Sequence, residues 1–175
     1  MKKFVPTYYA SSIFDIDISF FVKKGYKCIL TDLDNTLDVY NILIPSDRVF
    51  LLKKKLDEAN IKLCIVSNNK QKRKGIYPER LGIEAIFSSR KPFSKRISAF
   101  IKKLGYNKNE VILVGDQILT DVACGNNAGI DVILTDPISK IDQPVTRFNR
   151  LIDKPLRKRL HKKKILEGVK ISYEQ

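Results

Sequence analysis

The chain has 175 residues, of which 43% are hydrophobic and 30% are charged, so it is long enough to bury one sizeable core. We expect no membrane-spanning segment, because no apolar run approaches roughly 20 residues, and no secretory signal. The three cysteines are widely spaced, so we expect neither a disulfide framework nor a zinc site. The net charge of +14 indicates an anionic partner (nucleic acid, an acidic membrane face or a phosphorylated substrate), unless it only reflects a biased genomic composition.

The chain alternates short apolar runs with longer amphipathic segments. Residues 11–24 carry apolar side chains at helical spacing before Gly25, which predicts a short flanking helix, and the same spacing predicts helices over 46–60 and 93–104. Because they are short and apolar, five runs predict buried parallel strands: 27–32, 61–66, 84–87, 111–114 and 131–134. The alternation predicts an α/β fold with a doubly wound, mostly parallel sheet and short flanking helices.

Residues 147–166 are strongly basic, with interleaved leucines. This pattern suits binding to an anionic membrane, binding to a nucleic-acid backbone, or a solvated helix that packs on the core through Leu156 and Leu160. We expect one cytoplasmic domain over residues 1–175, with a core of about 26–150 and a basic C-terminal extension of about 151–175.

Polar residues follow the predicted strands. Ligands of an open α/β sheet bind outside the carboxyl ends of its strands, so these groups should converge at one edge. The groups are Asp32–Thr36, Ser67–Asn69, Ser88–Pro92 and Gly115–Asp121.

The two acids that follow the first strand can divide the work of phosphoryl transfer. Asp32 can attack phosphorus to give an aspartyl-phosphate. Asp34 can protonate the leaving oxygen and then accept a proton from water. Crowding these two acids with Asp116 and Asp121 would be costly without a cation, and a hard divalent ion with oxygen ligands relieves the repulsion.

Lys91 and the Ser67 hydroxyl would hold the remaining phosphoryl oxygens. Each motif alone has an ordinary structural interpretation: a turn for the acids, a helix N-cap for Ser67, a surface lysine for Lys91 and a loop acid for Asp116. Their order and spacing, each after an apolar run, favour the chemical interpretation.

Four motifs carry a family resemblance: DLDNTL from Asp32, SNN from Ser67, KP from Lys91 and GDQILTD from Gly115. In this order they resemble the motifs of the haloacid dehalogenase (HAD) superfamily of phosphohydrolases. The GDQILTD form and the TRFNR segment at 146–150 resemble more closely subfamily IIIA, the YqeG type, which includes mitochondrial and plastid phosphatidylglycerophosphate phosphatases.

The resemblance implies a role for each matching residue. Asp32 is implied to be the nucleophile and to bind Mg²⁺ through its side chain, and Asp34 to be the acid/base and to bind Mg²⁺ through its carbonyl. Asp116 is implied to be the third Mg²⁺ ligand, with Asp121 beside it. Lys91 is implied to serve both catalysis and phosphate binding. Substrate binding is further implied for Thr36, Ser67 and Asn68.

The spacing of the motifs leaves no room for a cap domain. Only 34 residues separate Asp32 from Ser67, and 23 separate Ser67 from Lys91. One helix and its adjoining strand nearly fill each interval. A capless site lacks the lid that encloses small substrates, so we expect a substrate that is large or presented on a surface.

We therefore expect a Mg²⁺-dependent phosphomonoester hydrolase. The resemblance implies phosphatidylglycerophosphate as its substrate, bound as a lipid head group at an anionic membrane surface on the cytoplasmic side. The alternatives are a phosphatase for a soluble or polynucleotide phosphate, and a basic RNA- or ribosome-associated protein that uses the fold as a scaffold. The oligomeric state stays open.

Overall fold

The structure is a computed structural model that describes residues 2–40, 42–70, 75–140 and 144–171. Six strands form one sheet in the order β1-β6-β5-β2-β3-β4, and every neighbouring pair is parallel. The strands are β1 (Tyr8–Ala10), β2 (Cys28–Thr31), β3 (Lys62–Val66), β4 (Ala85–Ile86), β5 (Val111–Gly115) and β6 (Asp131–Thr135).

Helices cover both faces of the sheet, which confirms the predicted α/β class. Helices α1 to α3 pack on one face and α4 to α7 on the other. The helices are α1 (Ile18–Lys24), α2 (Asp47–Glu58), α3 (Ile76–Leu81), α4 (Lys95–Leu104), α5 (Ala123–Ala128), α6 (Pro144–Lys162) and α7 (Ile165–Gly168).

The five predicted strands are all present, because the inner strands are covered on both sides and must be apolar throughout. The edge strand β1 was not predicted. It is only three residues long, and it pairs with β6 through the register Tyr8↔Ile133. The chain beyond α7 flanks it, since Tyr9 N donates to Val169 O at 2.9 Å.

The helix predicted over residues 11–24 is shorter than expected. Two polar side chains interrupt it: Ser12 caps a 3₁₀ turn by accepting from Phe14 N, and Asp17 caps α1 by accepting from Ser19 N at 2.7 Å. Side chains of this kind compete with helix continuation. The structure also adds α3 and α5, which the hydrophobic spacing did not indicate.

The basic C-terminal segment is a helix that packs on the core. Leu160 is buried and Leu156 is partly buried against the apolar cluster beneath α4 to α7. Residues 172–175 and the side chains of 146–148 in the TRFNR segment lie outside the described residues. Across the described part of the chain, no helix is long and apolar enough to cross a membrane.

Candidate active site

The turn after β2 carries the first two acids to the carboxyl edge of the sheet. Asp32 N donates to Val114 O of β5 at 2.9 Å, which continues the sheet by one residue. The chain then reverses through Asn35, whose φ of 63° suits asparagine better than most residues. Asn35 N donates to Asp38 O at 2.7 Å, which closes the turn.

Asp38 anchors this turn to the rest of the protein. Its buried carboxylate accepts from the Ser46 hydroxyl at 2.7 Å and from the Tyr77 hydroxyl at 2.6 Å. Burial and the hydrogen bond to Asp38 raise the pKa of Tyr77 above its ordinary value. Asp38 therefore ties the turn to the start of α2 and to α3, a role that the sequence motifs did not reveal.

Lys91 lies at the centre of the cluster. Its buried ammonium donates to Asp32 Oδ1 at 2.6 Å and to Val66 O at 2.8 Å, and it lies 2.7 Å from Asp121 Oδ1. Burial disfavours the charged form of Lys91, but the two carboxylates outweigh this effect, so its pKa lies above the ordinary value. The lysine is therefore a fixed cation between two of the predicted acids.

The SNN motif supports the segment that carries Lys91. Asn68 Oδ1 accepts from Lys91 N at 2.7 Å, and Asn68 Nδ2 donates to Lys91 O at 3.0 Å. Asn69 Nδ2 donates to Asp34 Oδ2, and the buried Ser67 hydroxyl accepts from Asn69 N at 3.2 Å. The motif thus joins the β3 and β4 ends to the acids after β2.

Asp116 is fully buried at the end of β5. Its Oδ1 accepts from the Thr36 hydroxyl at 3.3 Å, and its Oδ2 accepts from the Arg150 guanidinium. Arg150 Nη1 also donates to Asp116 O at 3.2 Å, and Arg157 Nη2 donates to the same oxygen at 2.8 Å. The predicted substrate-binding residue Thr36 therefore contacts the predicted metal ligand.

A third charged residue of α6, Asp153, completes this contact with the sheet edge. It is buried and accepts from Ile118 N at 2.9 Å and from Leu119 N at 3.0 Å, at the start of the π-helical turn Ile118–Val122. Sequence reasoning missed Arg150, Asp153 and Arg157 as parts of the site. Their spacing of three and four residues places them on one helix face, which was the available signal.

Three of the acids are buried close enough to influence one another. Burial raises the pKa of Asp116 to about 7; Arg150 opposes this shift, while Asp121 and Asp32 add to it. Burial likewise raises the pKa of Asp121 to about 6, against the lowering effect of Lys91. A divalent cation, which prefers oxygen ligands, would stabilise the charged forms of these buried and mutually repelling carboxylates.

Within the described ranges, no three acidic, histidine or cysteine side chains are grouped so that they could hold a metal ion. The ligand set expected from the resemblance contains only two carboxylates, those of Asp32 and Asp116, and takes its third oxygen from the main chain of Asp34. The oxygen chemistry of this set fits Mg²⁺.

The comparisons with known proteins agree with this fold. The family model described as haloacid dehalogenase-like hydrolase matches residues 39–135. A Bacillus subtilis (strain 168) protein named "Probable phosphatase YqeG" is 35% identical over 162 residues, which cover 93% of this chain and 94% of that protein. The chain therefore belongs to the haloacid dehalogenase-like hydrolases, and it is a phosphatase of that family.

More distant relatives extend the comparison. "Phosphatidylglycerophosphate phosphatase 1, chloroplastic/mitochondrial" of Arabidopsis thaliana is 29% identical over 155 residues, which cover 82% of this chain but 44% of the plant protein. The solved structure of a Moraxella catarrhalis 3-deoxy-D-manno-octulosonate 8-phosphate phosphatase, with magnesium and phosphate ions, shares the fold. Its TM-score is 0.50 at 18% identity, with 79% of this chain and 92% of that chain covered.

Proposed function

We propose that the protein hydrolyses phosphomonoesters with Mg²⁺ through an aspartyl-phosphate on Asp32. The observation that carries this proposal is the position of Lys91, whose ammonium lies between the carboxylates of Asp32 and Asp121 at 2.6 and 2.7 Å. A buried cation at this place offers charge stabilisation to the oxygens of a phosphoryl group next to the nucleophile.

The reaction proceeds in two displacements. In the first, an Asp32 carboxylate oxygen attacks phosphorus, the bond from phosphorus to the ester oxygen breaks, and protonated Asp34 gives its proton to the leaving alkoxide. In the second, water attacks phosphorus and gives a proton to Asp34, and the Asp32 oxygen leaves. The products are an alcohol and inorganic phosphate, and both acids return to their starting forms.

The Asp32 and Asp116 carboxylates and the Asp34 carbonyl would hold Mg²⁺. The ion supplies positive charge that counters repulsion between the acids and the phosphoryl oxygens. Ser67 and Lys91 bind the phosphoryl oxygens, Asp121 holds Lys91, and Asn68 orients the Lys91 main chain. Thr36 supports Asp116 through its hydroxyl.

Replacing Asp32 by asparagine tests the nucleophile. We expect Asp32→Asn to abolish Mg²⁺-dependent release of phosphate from an aryl phosphate, because the amide cannot form the covalent intermediate. Asp15→Asn, an exposed acid on the 3₁₀ turn before α1, is the matched control and should keep full turnover. Full turnover by Asp32→Asn would refute the assignment.

For the substrate, we propose phosphatidylglycerophosphate, cleaved at the cytoplasmic face of the membrane to phosphatidylglycerol. The plant relative's name and the absence of a cap domain among the described residues support a substrate presented on a surface. A screen of phosphatidylglycerophosphate in mixed micelles against soluble sugar phosphates and 5′-phosphorylated oligonucleotides tests it. Preference for a soluble or polynucleotide phosphate by kcat/KM would overturn the lipid assignment.

A further inference from the structure

Large apolar side chains are exposed mainly on one edge of the molecule. Of ten such residues in the described ranges, nine lie in the segments that follow β2, β3, β4 and β6, and the tenth is Val22, in the last turn of α1 before β2. We call these nine residues the apolar rim: Ile42, Leu43, Ile44, Phe50, Leu51, Ile76, Phe93, Leu151 and Ile152.

Contacts already described place the rim beside the candidate active site. Phe93, 72% exposed, follows the buried Lys91 by two residues. Ile76 precedes Tyr77, whose hydroxyl reaches Asp38.

Two further parts of the rim are placed in the same way. The exposed residues 42–44 lie between Asp38 and Ser46, which hydrogen-bond to each other. Leu151, 68% exposed, follows Arg150, which pairs with Asp116. Four separate segments therefore bring apolar side chains to the edge that holds the nucleophile.

At the opposite edge, where the strands begin, the described residues include one comparable side chain, Val22 in the last turn of α1. Among the described residues, the loops that lead into the strands contribute no exposed large apolar side chain. A soluble monomer scatters its exposed apolar residues, whereas concentration on one side marks an interaction surface. The asymmetry favours the carboxyl edge as the interaction surface.

The charged residues near the apolar rim indicate the kind of partner that the rim would bind. Exposed lysines and arginines accompany the apolar residues: Lys70 follows the SNN motif, Arg90 precedes Lys91, Lys95 begins α4 and Lys154 follows Asp153. Among the described residues, the exposed acids within three positions of a rim residue are Asp47 and Glu79, and exposed lysines and arginines outnumber them there. Apolar side chains among cations match an anionic bilayer, in which acyl chains lie beneath negative head groups.

We propose that the apolar rim docks the protein on an anionic phospholipid surface, with the active site facing the head groups. This deepens the proposed function and rests on its lipid substrate. It also limits the part of the basic C-terminal helix that faces the surface to exposed residues such as Leu151, Ile152 and Lys154, because Arg150 and Arg157 bind the sheet edge and Leu160 packs on the core.

The test measures sedimentation with vesicles made of equal parts phosphatidylcholine and phosphatidylglycerol. Burial of one phenylalanine or isoleucine side chain corresponds to a factor of about ten or more in an equilibrium constant. We expect Phe93→Ser and Ile44→Ser each to weaken partitioning about tenfold. Val22→Ser, a matched control at 55% exposure, should partition like the unaltered protein.

Two further measurements separate charge from apolar contact and docking from catalysis. Lys95→Gln with Lys154→Gln should weaken binding to the mixed vesicles but not the weaker binding to pure phosphatidylcholine. All these variants should hydrolyse a water-soluble aryl phosphate at the unaltered rate, because none of the replaced side chains belongs to the catalytic cluster.

Each possible result supports or overturns the docking proposal, and some also test the proposed function. Failure of the unaltered protein to sediment, or equal losses for Val22→Ser and Phe93→Ser, overturns the docking proposal. So does binding to polyuridylate that depends on the lysines while vesicle binding is absent. Hydrolysis of the aryl phosphate without vesicle binding refutes the docking proposal but supports the proposed phosphatase activity. Rim-dependent vesicle binding without any hydrolysis supports the rim and refutes the proposed function.

Discussion

Replacing Arg150 by methionine tests whether α6 stabilises the carboxyl edge of the sheet through the ion pair with Asp116. The substitution keeps most of the side chain's volume but removes the guanidinium, which binds Asp116 through both its carboxylate and its main-chain oxygen. The side chain of Arg150 is 10% exposed and that of Asp116 is fully buried, so water cannot easily take the place of the lost partner.

The expected loss of stability follows from the stranded carboxylate. Breaking a buried ion pair by removing one partner costs about 3–5 kcal/mol, most of it from the uncompensated charge. The pKa of Asp116 is already raised to about 7, and without Arg150 it rises further, so near neutral pH the acid can take up a proton instead. Because protonation removes the uncompensated charge, we expect a loss of stability at the lower end of this range, about 3 kcal/mol.

Urea unfolding in EDTA at pH 7 measures this loss. With a slope of about 2 kcal/mol per molar urea, Arg150→Met should lower the midpoint by about 1.5 M. The control Lys158→Met changes an exposed cation of the same helix and should shift the midpoint little. In a double-mutant cycle, Asp116→Asn should cancel much of the Arg150→Met loss; additive losses would refute the coupling.

Two other substitutions probe the packing beneath the site. A Cβ on Gly115 would lie 2.3 Å from Asp121 Cγ, so Gly115→Ala should lower both kcat and the melting temperature. A Cβ on Gly125 would lie 2.1 Å from a core valine methyl, so Gly125→Ala should lower the melting temperature but not kcat; equal kcat losses would contradict this distinction. Tyr77→Phe removes a hydrogen bond to Asp38 and should cost about 1.5–3 kcal/mol in urea unfolding; an unchanged midpoint would show that the bond contributes nothing.

The sequence predicted the parts of this protein that depend on burial and chain order. The inner strands must be apolar on both faces, so runs such as 61–66 are recognisable without tertiary information. Because the strands are parallel, all of their carboxyl ends then lie at the same edge of the sheet. Convergence of Asp32, Lys91 and Asp116 follows from those two rules.

The sequence could not separate buried charges from solvated ones. Arg150 and Arg157 stand in a segment where cations are common, and composition treats them like the exposed Lys158. Only the folded contacts show that two of these arginines reach the carbonyl of Asp116. Asp153 is an acid within this basic helix; its spacing from the two arginines indicates a shared helix face, but not that it accepts from two backbone N–H groups.

The inward arginines change how the net charge of +14 should be understood. A cation that is paired with a buried carbonyl or carboxylate contributes little to attraction at the surface. The binding free energy of about 1 kcal/mol per basic residue near an anionic membrane applies only to residues that reach the lipid. Arg150 and Arg157 are held by Asp116 and Asp136, so they add cohesion between α6 and the sheet instead. In the proposed docking, the cations left for an anionic surface include those beside the apolar rim, and their position at the carboxyl edge would orient Asp32 toward that surface.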